Sequence, residues 1–179
     1  GDVLNAHIKN LSLTSINISR DDTDYLGGLA ARTTNSIIEG CFVTGAIYTN
    51  RDYIYLGGLV AVSYDCMLME CFTDIDIKDN NAYAIGGLIG SCHDNDTLIN
   101  CYSVSNLTIY NPSQTDNIHN IYGGLVGEIA YGTLSIDKSY YAGEINTNTI
   151  DIGGLLARKI AGSVNITNSF WDKEFSGVE

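Results

Sequence analysis

Proline is almost missing from this chain: there is one among 179 residues, against 19 glycines. That balance excludes long proline-rich linkers and points to many tight turns in a chain folded throughout. Positive charge is scarce as well, with nine Lys plus Arg against 21 Asp plus Glu and a formal net charge of −12. A field of that sign repels phosphate backbones and anionic lipid surfaces, so nucleic acid and membrane are poor partners. No apolar run approaches the roughly 20 residues that a membrane-spanning helix needs. No signal peptide opens the chain at Gly1, and it reads as a piece of something longer. Cysteine pairing motifs are absent too. The five cysteines are odd in number and include no CxxC, which argues against a disulfide framework or a zinc site.

What the chain does have is a repeat. Gly-Gly-Leu occurs five times, and its second glycines are Gly28, Gly58, Gly87, Gly124 and Gly154. Their spacings are 58−28 = 30, 87−58 = 29, 124−87 = 37 and 154−124 = 30. A second column follows in step: Cys41-Phe42, Cys71-Phe72, Cys101-Tyr102, Ser139-Tyr140 and Ser169-Phe170. Both ladders place about eight extra residues between the third and fourth units, and these fall near 110–120, the stretch that holds Pro112.

Shifting the register 30 residues upstream puts Leu11 at the Cys41 position. Three residues before this column every unit is aliphatic: Ile8, Ile38, Leu68, Leu98, Ile136 and Ile166. Immediately before it stand Asn10, Gly40, Glu70, Asn100, Lys138 and Asn168, polar or glycine. Six residues after it stand Ile47, Ile77, Leu107, Ile145 and Phe175, with the first unit slipped by one to Ile16 and Ile18. Apolar positions held at one phase through every unit are core positions. Within a unit apolar and polar residues alternate with period two, as in Thr73-Asp74-Ile75-Asp76-Ile77, and β-branched residues abound, so the units are short strands and turns, not helices.

A 30-residue unit of short strands cannot bury its own apolar side, but stacking units does it. The expected fold is therefore all-β: one parallel β-solenoid, β-helix-like, of about five to six rungs over 1–179. The Gly-Gly column marks where backbone turns or packs too closely for a Cβ. A β-propeller is the weaker alternative, since 30 residues is short for a four-stranded blade.

These columns resemble the GLUG-motif repeats, in which Gly-Gly-Leu-Val/Ile-Gly is followed by an aliphatic residue, Asn, Ser/Cys and Tyr. The resemblance is clearest in Gly123-Gly124-Leu125-Val126-Gly127 and in Gly86-Gly87-Leu88-Ile89-Gly90 with Ile99-Asn100-Cys101-Tyr102. Units one, two and five depart from it, with Ala31, Ala61 and Ala157 in place of the last Gly. The resemblance implies a bacterial cell-surface or secreted, adhesin-like protein, or the non-catalytic region of an IgA-cleaving metallopeptidase. It supplies no catalytic residue.

The residues themselves offer little chemistry. His7, His93 and His119 lie in different units and form no HExxH, and Arg20, Arg32, Arg51 and Arg158 are too dispersed to hold a uronate as a lyase would. Glycosidase-like carboxylate pairs could be sought in Asp21-Asp22-Asp24, Asp74-Asp76-Asp79 and Asp94-Asp96. These read instead as solvated turn and strand-face carboxylates that match no calcium loop.

The expectation is a non-catalytic structural or binding module without metal or cofactor, its partner a host or cell-surface glycan or protein. The rivals are an accessory region of a secreted IgA-protease-like metallopeptidase and a carbohydrate-active β-helix enzyme. The residues singled out are the glycine ladder, an inward thiol column (Cys41, Cys71, Cys101) and a candidate ligand-binding aromatic column (Phe42, Phe72, Tyr102, Tyr140, Phe170). If the Cys/Ser position points inward, alternation sends the rings outward beside Thr44, Asp74, Asn106 and Glu144. The simpler role for such rings is to stabilise one another.

Overall fold

A computed structural model describes residues 1–109, 120–147 and 151–178. Each repeat closes one turn of a parallel β-solenoid. In one central turn, strands Val60–Tyr64, Met67–Met69, Phe72–Asp79 and Ala84–Gly86 follow one another. Equivalent strands of successive turns pair in parallel and build four sheets, here sheets I to IV in that order along the turn. Among the described residues sheets I and II each hold six strands and sheet IV five. Sheet III counts more because some rungs split in two, as Tyr102–Ser103 and Asn106–Ile109 both pair with Phe72–Asp79.

The register is the sequence period. Phe72 lies beside Phe42 and Tyr102, and Leu68 beside Ile38 and Leu98. Beyond the third unit the partners jump to Ala84 with Ile121 and Leu107 with Ile145. The extra residues expected near 110–120, Pro112 included, lie outside the described residues except for Asn120. The first-unit slip is a bulge: Leu13 pairs with Val43 but Ile16 with Gly45, after which Ile18 recovers Ile47.

The corners explain two of the polar columns. Asn10, Gly40, Glu70, Asn100, Lys138 and Asn168 all have φ between 49° and 60°, the left-handed conformation that turns the chain from sheet II into sheet III. Asn5, Asn35, Asp65, Asp94, Gly132 and Gly162 do the same between sheets I and II. Asn, Asp and Gly suit this conformation, whereas Glu70 and Lys138 bear a cost of ~1–2 kcal/mol each.

The glycine ladder has a different cause. None of its second glycines has positive φ; a Cβ on Gly28, Gly58, Gly87 or Gly124 would collide with the carbonyl oxygen of the next glycine in the column. Those same positions face the inner side chains of sheet III. A Cβ on Gly124 would strike the Tyr141 ring, and one on Gly154 the Trp171 indole. The third residue after the pair lies against the backbone of sheet IV. A Cβ on Gly90 would press on the Leu56 carbonyl and one on Gly127 on that of Ile85, which is why the alternatives are as small as Ala31, Ala61 and Ala157.

The core is one continuous column of inward aliphatic, Cys and Tyr side chains. It thins at both ends. Leu11, expected inward with Cys41, is 39% exposed, and Ile166 is 43% exposed, since neither has a rung on its outer side. Phe175, expected in the core beside Ile145, is instead exposed. It lies in a helical turn, Lys173–Ser176, that replaces the last strand; Asp172 caps it by accepting from Phe175 N, and Gly177 ends it in the left-handed conformation. Among the described residues no helix is long and apolar enough to cross a membrane.

Candidate functional site

The aromatic column lies on the outer face of sheet III, beside the Asp74, Asp76 and Glu144 side chains that point to water. Phe72 stacks on Tyr102 with centroids 4.4 Å apart, Tyr102 on Tyr140 at 5.0 Å, and Tyr140 on Phe170 at 5.5 Å; the last two pairs are parallel within 6°. Parallel strands about 4.8 Å apart bring equivalent rings within stacking distance, as they do here from Phe72 onward. That stacking decides what the rings offer. Their faces are turned along the solenoid axis towards each other, so their edges and the Tyr hydroxyls meet solvent. A sugar that stacks on an aromatic face finds such a face open at Phe170, which ends the described stack and is 63% exposed.

Two further ring columns, not anticipated from the sequence, run along sheets IV and I. Tyr25 stacks on Tyr55 and Tyr55 meets Tyr83 at 5.1 Å. His93 lies between Tyr64 at 4.7 Å and Tyr131 at 5.0 Å. They escape a period search because each draws residues from different phases: Tyr55 is in register with Ala84, not Tyr83.

The thiols of Cys41, Cys71 and Cys101 are buried and free. Each sulfur faces the carbonyl two residues back, Glu39, Met69 or Ile99, at 3.3–3.4 Å. Each also faces a carbonyl of the preceding rung, Ile8, Ile38 or Leu68, at 3.4–3.7 Å. Ser139 and Ser169 donate to the same i−2 carbonyl, and their oxygens accept the N–H groups of Cys101 and Ser139. The column thus selects a small side chain that satisfies corner backbone, which both Cys and Ser provide. Burial pushes the Cys41 thiol up, and the hydrogen bond with Cys101 together with burial pushes Cys71 up; neither is an activated thiolate.

Polar groups inside the solenoid depart from expectation. Asp79 and Asp96, read as solvated carboxylates, are buried. Asp79 accepts from Tyr122 Oη at 2.8 Å and Ala82 N at 2.6 Å; Asp96 accepts from Cys66 N at 2.9 Å and His93 N at 3.1 Å. Burial raises them to about 6 and about 7. Their inward direction follows from strand alternation, which places Asp79 in phase with Ile75 and Ile77, and from a corner column shared with Ser36 and Cys66 whose chemistry changes at every rung.

Glu128 is also buried, and burial raises its carboxyl. Ser91 Oγ donates to Glu128 Oε1 at 3.0 Å and lies 3.1 Å from His93 Nε2. This is not the geometry of an acyl-transfer triad. There the carboxylate orients the imidazole, whereas here it contacts the serine, and that hydroxyl is fully buried. Among the described residues no group of three or more His, Cys, Asp and Glu side chains is placed to hold a metal ion.

Fold and surface together define a repeat module, a parallel β-solenoid whose recurring residues serve corners, core and side-chain stacks. Residues 22–48, which contain the first Gly-Gly-Leu and the first Cys-Phe, match the GLUG motif. That match supports the resemblance to GLUG-motif repeats across the other units, which share its columns. No curated protein and no solved structure matches the chain.

Proposed function

We propose that the chain is a non-catalytic spacer and binding module of a bacterial cell-surface or secreted protein, related to adhesion. The observation that carries this reading is the continuity of the inter-rung ladders. Among the described residues successive rungs pair in parallel on all four faces, and Phe72, Tyr102, Tyr140 and Phe170 of sheet III stack one on another, as suits a rod that holds other parts at a distance. The recurrent glycines, corner residues and thiols all have structural work, and the Ser91–His93–Glu128 contact lacks an accessible nucleophile.

The test combines a glycan array and a host-cell adhesion assay with thermal unfolding, on the parent and on Phe72→Ser/Tyr102→Ser. If the rings are a spine, the double variant loses at least two stacked pairs, each worth ~0.5–1.5 kcal/mol, and melts earlier. A parent that binds a glycan and a variant that keeps its midpoint but not that binding would move the function onto the rings. Location is tested separately, by antibody labelling of intact cells that express the whole protein.

A further inference from the structure

The outer face of sheet II departs from the apolar-in, polar-out alternation expected of strands with one face in water. Its inward residues Ile38, Leu68 and Leu98 are fully buried, as they should be. Its outward residues should be polar, and at the ends they are: His7 and Lys9 at one, Asn165 and Thr167 at the other. In the middle three rungs four of the six are apolar, with Glu39 and Thr97 the polar exceptions. Ile37 and Met67 adjoin in one outward column, and Met69 and Ile99 in the next. Ile37 is 36% exposed and the other three are half-buried. Met67 and Met69 are the only methionines in the chain. Long, pliable, polarisable side chains set outward on a rigid sheet are suited to repack against a partner.

Two features bound this patch. Along the corner with sheet I runs an open groove of about 460 Å³, lined by Ile37 and Met67 together with Asn35, Asp65 and Asn95. Carboxylates flank both margins, Asp65 and Asp94 on the groove side and Glu70 on the sheet III side. None of these three forms an ion pair among the described residues, whereas Glu39, on the same strand as Ile37, is held by Lys9 and His7.

We propose that this face docks a polypeptide segment that carries both aliphatic and basic side chains. The aliphatic groups seat on Ile37, Met67, Met69 and Ile99, and Lys or Arg reach Asp65, Asp94 and Glu70 at the margins. Charge complementarity selects this occupant over a second copy, which would bring another −12 and the same acidic margins against this face. The surface is separate from the ring column of sheet III, so it stands whether or not that column binds anything.

The test is a fluorescence-anisotropy titration with a labelled twelve-residue peptide of alternating Leu and Lys, and with its Leu/Glu counterpart. The whole chain is used as parent, as Met67→Thr/Met69→Thr, as Asp65→Asn, and as Asp74→Asn/Asp76→Asn on sheet III. Threonine already occupies both outward columns at Thr97 and Thr167, so the methionine variant keeps strand propensity; Ile37→Thr repeats the test at the most exposed of the four positions.

The expected result is binding of the Leu/Lys peptide only, weakened about tenfold by Met67→Thr/Met69→Thr, severalfold by Asp65→Asn, and less than about twofold by the sheet III variant. Undiminished binding by both the methionine and Ile37 variants overturns the proposal. So does an equal loss on sheet III, which would mean attraction by net charge alone. A parent that sediments as a dimer, and a methionine variant that does not, would also overturn it, in favour of a second copy.

Discussion

Leu68 and Ile166 occupy the same inward column on the same sheet, yet one is fully buried and the other is 43% exposed. Sequence pattern treats them alike. What differs is that Leu68 has a rung on each side and Ile166 has one. The same holds for Cys41 against Leu11, and for Ile145 against Phe175, where the chain leaves the strand path for a helical turn. In this architecture burial belongs to a pair of neighbouring rungs more than to a residue, and stability should be close to a sum of nearest-neighbour terms.

The most severe way to break the central stack is through its glycines. Gly58→Val sets a branched side chain against the Gly87 carbonyl and the Thr73 side chain, and should prevent folding or cost more than ~4 kcal/mol; Asp52→Asn, at an exposed corner, should cost less than ~0.5 kcal/mol. Chemical denaturation of both variants checks this, and equal midpoints would show the ladder to be incidental. Next, Leu68→Ala should cost ~2–5 kcal/mol and Ile166→Ala under ~1 kcal/mol. Similar losses at the two sites would contradict the comparison between centre and end.

Acidity gives a third way to sharpen it, because the deeply buried carboxyls sit in the central rungs. Asp79 and Asp96 are raised by burial, so each folded value lies above the unfolded one near 3.9. The stability that their neutral forms allow is fully present below about pH 4 and is lost as pH rises through about 6 and about 7. The surface carboxyls Asp2, Glu39 and Asp137 act in the opposite sense. They are held below the usual range by Arg32, by Lys9 and by Asn168, so what they contribute is lost only as pH falls below about 4. The thermal midpoint should therefore peak near pH 4, decline between about pH 4 and 7, and level off above that. Asp96→Asn should flatten that decline, and an unchanged slope would place the titration elsewhere.

The smallest effect is a gain. Glu70 has φ 55°, and Glu70→Asn should stabilise by up to ~1 kcal/mol, as Asn100 already does at the same corner one rung on. The same change at a position of ordinary φ, such as Glu144, should gain nothing.

Sequence made the fold legible because its signals repeat: Gly-Gly-Leu, the aliphatic column, and the polar residue before Cys or Ser each recur in phase. The corner column that turned out to need left-handed backbone was visible only as polar or glycine, since φ has no single residue signature. The buried polar groups were harder to read. Cys66 and Asp96 share a column with Ala6, Ser36 and Leu134, a set with no common chemistry, and Asp79, though in phase with Ile75 and Ile77, was grouped by its charge with its outward neighbours Asp74 and Asp76. The candidate site was legible as a column of rings. That their faces turn towards one another follows from rung spacing, a three-dimensional quantity.

The left-handed corners, repeated at every turn, have a mechanical consequence. Hydrogen bonds between rungs run along the solenoid axis, as from Asn10 N to Glu39 O and from Gly40 N to Met69 O, so tension applied through the two ends pulls each bond lengthwise. Bonds loaded that way open one after another, not all at once in shear, and the outermost rung, supported on one side only, yields first. Each rung released would add about 30 residues of extended chain, roughly 100 Å. Force spectroscopy on the chain held by its termini should show a sawtooth of small, evenly spaced steps in place of one large rupture.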